Sequence, residues 1–321
     1  MAQAPPRGAV LGARLRARDL TAAPAALNLI ENKLPENRAE IAALLAEVSP
    51  GALGGEAPGH VVGITGPPGV GKSTLLGALI ACWRRDGRTV AVLAVDPSSQ
   101  RSGGALLGDR ARIEADPGDR AVVIRSMAAG GRLGGLAPAT RAAARALSAA
   151  FDVVVIETVG VGQSETAVAD VADTVAVVVQ PGSGDALQFL KSGIMEIPDV
   201  LVVTKADLGE IASRARRDLH AALRSLGARH TRVVAVSSIP PVAGLDELAA
   251  ALEEHRARLD LAARRVAARR LGAIADFHAE YGDRGLRAVG GRRAAERWLA
   301  EQDPALDESE LAAALESRAE L

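Results

Sequence analysis

Gly66-Pro67-Pro68-Gly69-Val70-Gly71-Lys72-Ser73-Thr74 satisfies every fixed position of the pattern G-x-x-x-x-G-K-[ST]. Such a stretch binds a nucleotide polyphosphate. Its glycines let successive backbone N–H groups turn toward one anion without Cβ interference, and a helix starting near Gly71 aims its positive end at the same point. Lys72 is spaced to reach the β- and γ-phosphates as a compact cation, and the Ser73 hydroxyl to ligate Mg²⁺. The pattern carries this meaning only between a strand and a helix, and the apolar run 61–65 stands immediately before it. A Gly/Pro turn with an incidental lysine would lack that setting.

Three further stretches follow apolar runs. Asp96-Pro97-Ser98-Ser99 closes the run 90–95 and leads into a Gly-rich segment, 102–110, that contains Asp109. Asp96 is suited to hold Mg²⁺ or its water shell, and Asp109 to orient attacking water or bind metal. Each could equally be a capping aspartate in a loop. Glu157 closes the run 153–156 as a second Mg²⁺-side carboxylate, acting through water, and Gly160 is spaced to give its N–H to the γ-phosphate. Loss of that contact on hydrolysis would release the loop.

Thr204-Lys205-Ala206-Asp207, after the run 200–203, is a variant of the guanine motif N-K-x-D. A carboxylate at Asp207 accepts from guanine N1–H and the exocyclic amine, and the Lys205 stem covers the base. Adenine has an acceptor at N1 and would oppose Asp207. Thr204 in place of Asn removes an amide that ties loops together. Ser237, Ser238 and Ile239 follow the last run as a second base-side loop. The predicted ligands are GTP or GDP with Mg²⁺, and the predicted catalytic residues are Lys72, Asp109 and Glu157.

These motifs need a scaffold that brings strand ends together. Seven apolar runs (61–65, 90–95, 121–124, 153–156, 175–179, 200–203 and 233–236) are continuous rather than alternating, which suits strands covered on both faces. Helical patterns between most of them imply crossovers. The expected fold is an α/β phosphate-loop NTPase, a mainly parallel sheet wrapped by helices with its ligands at the carboxyl edge. An N-terminal helical pair (20–31 and 35–48) precedes it and an Arg-rich helical tail follows. Pro5, Pro6, Gly8 and Gly12 suggest that residues 1–18 are a frayed arm, and Gly282 and Gly285 suggest breaks in the tail. The expected divisions are 1–58, a nucleotide-binding core 59–256, and a tail 257–321 that folds back or serves as a dimerisation arm.

Composition narrows the functions. A net charge of -1 with 24% charged residues does not point to nucleic acid or an anionic membrane. No run of eighteen apolar residues is present, so a soluble cytoplasmic protein is expected. One cysteine, Cys82, excludes an internal disulfide and a C-x-x-C site, and five scattered histidines give no support to metal delivery. Only four of the 38 Lys and Arg residues are lysines, and two of those lie in nucleotide motifs. That retention draws attention to Lys191.

The phosphate loop together with A-V-D-P-S-S, S-G-G-A-L-L-G-D-R, E-T-V-G-V-G-Q-S-E, G-I-M-E-I-P-D and V-T-K-A-D, in this order, resembles the MeaB/ArgK family of GTPases. The resemblance covers about residues 20 to 250. It implies a GTPase chaperone of an adenosylcobalamin-dependent acyl-CoA mutase such as methylmalonyl-CoA mutase, commonly homodimeric. It further implies a first switch from Asp96 to Asp109, a second from Glu157 to Glu165, and a third from Gln180 to Lys191 that reports to the mutase and gives Asp185 and Lys191 a coupling role. Thr204 and the stretch 127–131 depart from the family pattern. An ATP-dependent transport-system kinase and a nucleotide-gated scaffold with little turnover are the alternatives.

Overall fold

The computed structural model describes residues 5–32, 34–96, 113–128, 136–158, 167–182, 198–228 and 230–320. Asp109, Gly160, Asp185 and Lys191 lie outside the described residues. The strands are β1 His60–Thr65, β2 Val90–Asp96, β3 Val122–Ala128, β4 Val153–Thr158, β5 Thr174–Val179, β6 Val200–Val203 and β7 Arg232–Ala235. The helices discussed below are α1 Arg7–Arg16, α2 Ala23–Ile30, α3 Arg38–Glu47, α4 Pro50–Leu53, α5 Lys72–Arg85, α6 Pro138–Ser148, α7 Glu210–Ser225, α8 Leu245–Arg258, α9 Leu261–Ala288, α10 Arg292–Ala300 and α11 Glu308–Ala319.

The seven strands form one sheet in the order β3-β2-β4-β1-β5-β6-β7, with every neighbouring pair parallel. The expected parallel α/β architecture is thus present. The chain runs outward from β1 to β2 and β3, returns through β4, and then builds β5, β6 and β7 on the other side. β1 therefore lies at the point where the strand order reverses, where ligands bind at the carboxyl ends of such sheets.

Both faces of the central strands are buried, as their continuous Val and Ile runs require. On one face Val62, Ile64, Val92, Val155, Val178 and Val202 pack with Leu75, Leu76 and Leu79 of α5 and Leu248 and Leu252 of α8. Alternate residues such as Leu93, Val154, Ile156, Val177 and Leu201 are buried toward the other face. Among them Gly63 allows Val168 and Ala172 to approach: a Cβ there would lie 2.6 Å from Val168 Cγ2.

Two compact units divide the chain. Residues 60–140 and 151–259 form the sheet unit, and residues 1–59, 141–150 and 260–321 form a helical unit. The expectation of a frayed N-terminal arm is overturned by the helical unit. Residues 7–16 are helical, and Gly8, Gly12, Leu11 and Leu15 are buried. The glycines do not break this helix; they let it close on α3. A Cβ on Gly8 would come within 1.8 Å of the Glu40 carbonyl oxygen, and one on Gly12 within 2.4 Å of that of Leu44. Gly8 N also donates to Glu40 Oε2 at 2.5 Å.

The tail is likewise more continuous than its glycines suggest. Within α9 only Gly282 departs from helical angles (φ 60, ψ -161), whereas Gly285 is helical and buried against Tyr281 and Phe277. Phe277, Ile274, Leu299, Leu311 and Leu315 make a second core. Ion pairs join distant segments of this unit: Arg269 holds Glu56 at 2.8 Å, and the buried Arg141 of α6 pairs with Asp276 and, at 2.8 Å, with Glu308. Burial raises the Asp276 carboxyl, and the charge of Arg141 opposes that rise. Among the described residues no helix is long and apolar enough to cross a membrane.

The α1–α3 contact yields a direct test. Gly8→Ala forces a methyl group onto a backbone carbonyl with no flexible side chain to yield, and overpacking of this kind costs about 1–3 kcal/mol. The expected result is a lower urea midpoint with an unchanged denaturant slope. Wild-type stability in Gly8→Ala would mean that α1 does not seat on α3.

Candidate nucleotide site

Between β1 and α5 the loop is shaped by its glycines. Gly66 has φ 141, and a Cβ on it would lie 2.1 Å from the carbonyl oxygen of Val178 on β5, so the loop can leave β1 this close to β5 only without a side chain. Gly69 (φ 79) and Gly71 (φ 95) face open space, and there the backbone angle itself favours glycine. Gly71 caps α5, whose first turn has no acidic residue, leaving its positive end suited to an anion. Lys72 is 7% exposed. Its Nζ donates to the carbonyls of Gly66 at 2.7 Å and Pro67 at 2.9 Å, which holds the ammonium against the loop.

Sheet register places the partner of Ser73. Glu157, near the end of β4, is paired with Ile64 of β1 on one side and Ala94 of β2 on the other. Its carboxylate is buried and accepts from Ser73 Oγ at 2.9 Å. Behind it, Thr158 Oγ1 donates to Thr65 Oγ1 at 2.9 Å, a buried bond that ties the ends of β4 and β1 together. Asp96 ends β2, the next strand along. A hydroxyl and a carboxylate sharing one hydrogen bond are the hard oxygen donors a divalent cation takes, so Ser73 and Glu157 fit Mg²⁺.

The base-side loops sit at the ends of β6 and β7. Here the expectation that Thr204 removes the tie between loops is corrected. The Thr204 side chain is 3% exposed, and its hydroxyl lies 2.7 Å from the Val70 carbonyl of the phosphate loop and 3.1 Å from that of Val179. A short hydroxyl rooted on a buried strand end reaches the same loop that a longer amide would. Lys205 adopts a left-handed conformation (φ 55), and its Nζ donates to Gln180 Oε1 at 2.5 Å.

Ala206 N donates to the Val236 carbonyl at 3.1 Å, joining the Asp207 loop to the Ser237 loop. Ser237 Oγ donates to the Ile239 carbonyl at 2.8 Å and lies 3.4 Å from Asp207 Oδ1. The hydroxyl proton serves the closer carbonyl, so the Asp207 carboxylate keeps capacity to accept two donors side by side. A cleft of about 620 Å³ runs along the flank of α5, lined by Gly77, Ala81, Cys82 and Arg85 together with Thr74, Ser238 and Asp246; it borders the end of the phosphate loop and the second base-side loop, and neither Lys72 nor Asp207 lines it.

The structure thus gathers residues 66–74, Glu157, Thr204, Lys205, Asp207 and residues 237–239 at one sheet edge. Gln180 entered the motif reading only as the start of a third switch; its bond to Lys205 and the Thr65–Thr158 bond were missed. The available signal was positional, since each stands at the end of a buried strand beside a recognised motif. Among the described residues no cluster of His, Cys, Asp and Glu could hold a metal ion by itself.

A parallel sheet with its phosphate loop at the reversal of strand order and base-side loops beside it defines a phosphate-loop nucleotide-binding protein. Residues 23–280 match the family described as methylmalonyl Co-A mutase-associated GTPase MeaB, and the chain belongs to that family. A Pyrococcus horikoshii protein named as a GTPase is 50% identical over 195 residues, covering 60% of this chain and 59% of that one. The mouse protein named methylmalonic aciduria type A homolog, mitochondrial, is 45% identical over 157 residues, covering 49% of this chain and 38% of that one. These alignments span less than two thirds of either relative. A crystal structure of an LAO/AO transport system kinase matches with a TM-score of 0.63 and 29% identity, covering 94% of this chain and 99% of that one.

Thr204→Val removes the hydroxyl while keeping the shape, and loss of one hydrogen bond is worth about 0.5–1.5 kcal/mol. GDP binding by calorimetry should weaken roughly two- to tenfold, whereas Thr204→Ser should retain wild-type affinity. Equal weakening in both variants would sink the tie between the loops.

Proposed function

We propose that the chain binds GTP with Mg²⁺, hydrolyses it slowly, and uses the cycle to gate adenosylcobalamin loading or protection on a partner acyl-CoA mutase. The observation that carries the guanine reading is the joined base side, with Asp207 beside Ser237 and the preceding Thr204 bonded to the phosphate loop. Gly66 to Thr74 would hold the phosphates, with Lys72 neutralising charge on the transferred group. Ser73 and Glu157 would hold Mg²⁺ with Asp96, and the ion would neutralise phosphate charge. Lys205, Asp207, Ser237, Ser238 and Ile239 would surround the base. Asp109 and Gly160 keep the water-orienting and γ-phosphate roles that their motifs imply.

Partner and assembly are inferred from relatives. The family's description names a methylmalonyl-CoA mutase, and the mouse relative's name refers to methylmalonic aciduria, which supports a mutase as the partner. A homodimer and a cytoplasmic location belong to the same reading. A supplied catalytic group is worth about 10³–10⁵ in rate in related switches, so the mutase is expected to accelerate hydrolysis. A mutase complex with unchanged turnover would count against this coupling.

A transport-system kinase is the second reading, favoured by the matched crystal structure's description. Calorimetry with GDP and ADP in Mg²⁺ separates the two. GDP should bind at micromolar Kd or tighter and ADP about 10²-fold more weakly, a gap of about 2.7 kcal/mol. Equal affinities, or a preference for ADP, would overturn the guanine assignment and favour the kinase.

A further inference from the structure

β5 lies between β1, which leads into the phosphate loop, and β6, which leads into Lys205 and Asp207. Gln180 is the first residue beyond β5, two positions after the Val178 carbonyl that Gly66 approaches. Parallel pairing matches Val179 with Val203, so Gln180 stands level with Thr204 and next to Lys205. A side chain leaving the sheet at Gln180 therefore starts between the two nucleotide loops.

The Lys205 side chain is fixed at both ends. On the backbone side, Thr204 N donates to the Val179 carbonyl at 2.9 Å and Ala206 N to the Val236 carbonyl at 3.1 Å, which clamps the residue between them. That clamp keeps Lys205 in a left-handed conformation (φ 55), one that residues with a Cβ adopt where their surroundings impose it. At the other end Nζ donates to Gln180 Oε1 at 2.5 Å. The acceptor is itself held. Gln180 precedes Pro181, which confines its backbone to extended angles, and Gly182 (φ 79) turns the chain immediately afterwards. The four-carbon stem is thus stretched between the ends of β6 and β5.

Two points of chemistry explain why an amide suits this position. A lysine stem loses rotamer freedom when a ligand pins it, and an acceptor that holds the ammonium in advance removes part of that loss from the binding step. A neutral oxygen does this without cancelling the charge, so the ammonium still favours an anionic nucleotide. A carboxylate would hold the ammonium as well but would set a negative charge beside the phosphates.

We propose that Gln180 is a positioning residue for the nucleobase, holding the Lys205 stem as a preformed cover on one face of the base while Asp207 reads its edge. The proposal rests on the assignment of residues 204–207 to the base side, and it adds a residue that the N-K-x-D pattern does not contain. Stem and carboxylate then contribute differently. The stem meets the ring face, which every purine presents. The carboxylate meets the edge, where N1–H and the exocyclic amine distinguish guanine.

The test is titration calorimetry of the full chain in Mg²⁺ with GDP and with inosine diphosphate, whose base lacks the exocyclic amine. Gln180→Leu, which keeps the bulk and removes the acceptor, should weaken both by the same factor, roughly two- to tenfold, the range for one hydrogen bond. Asp207→Asn should instead shrink the preference for GDP over inosine diphosphate. In a Lys205→Met background Gln180→Leu should have no further effect, because the amide acts only through the ammonium. A side chain that merely shaped the loop would add its loss to that of Lys205→Met. Gln180→Ala is the second variant should Gln180→Leu not fold.

Wild-type GDP affinity in Gln180→Leu, or additive losses in the double variant, would overturn the proposal. Equal binding of GDP and ADP by the wild type would instead remove the guanine assignment. The same cycle run with ADP would then decide the role of Gln180, since a covered ring face does not depend on which purine is bound.

Discussion

The close approach of Gly66 to the Val178 carbonyl governs the rest of the nucleotide end. With no Cβ between them, the chain leaving β1 passes directly over β5, and the loop then returns through Gly69 and Gly71 into α5. Lys72 follows at the first helical position and turns back to the carbonyls of the same loop. Had the loop stood further from β5, Val70 could not accept from Thr204, whose own strand is the next neighbour of β5. One steric allowance thus sets the distance between the phosphate-binding and base-reading parts of the site.

Register does the equivalent work for the acidic side chains. Parallel pairing of β4 with both β1 and β2 leaves little choice in where Glu157 falls, and the buried Thr158–Thr65 bond reinforces that position. A slip by one residue would turn Glu157 to the other face and leave a carboxylate among valines. The apolar interior that makes such a slip costly is therefore also what aims the carboxylate at Ser73.

Glycine carries opposite meanings in the two units. In the phosphate loop it supplies left-handed backbone angles, whereas in α1 it supplies closeness, letting one helix rest on the carbonyls of another. Gly272 has a third use: its missing side chain leaves room for the Glu308 carboxylate, which pairs with Arg141. Burial of those charges is tolerable because each is matched by its opposite within hydrogen-bonding distance.

The seven apolar runs, the phosphate loop and the order of the carboxyl-edge motifs were legible because they depend on local periodicity and on short spacings that the chain itself carries. The helical nature of residues 7–16 was not, since Gly8 and Gly12 read as breakers until α3 supplies the surface they fit. Thr204 read as a lost amide because its acceptor, the Val70 carbonyl, lies 134 positions away. His60 and His255 likewise read as scattered residues, and only the pairing of β1 with β5 and the packing of α8 bring both to the Thr174 hydroxyl. The sequence by itself determined which elements form and which residues have the chemistry for phosphate, metal and base. Only the tertiary structure decided which of them share a hydrogen, because hydrogen bonds act over about 3 Å and the chain brings distant residues that close only when it is folded.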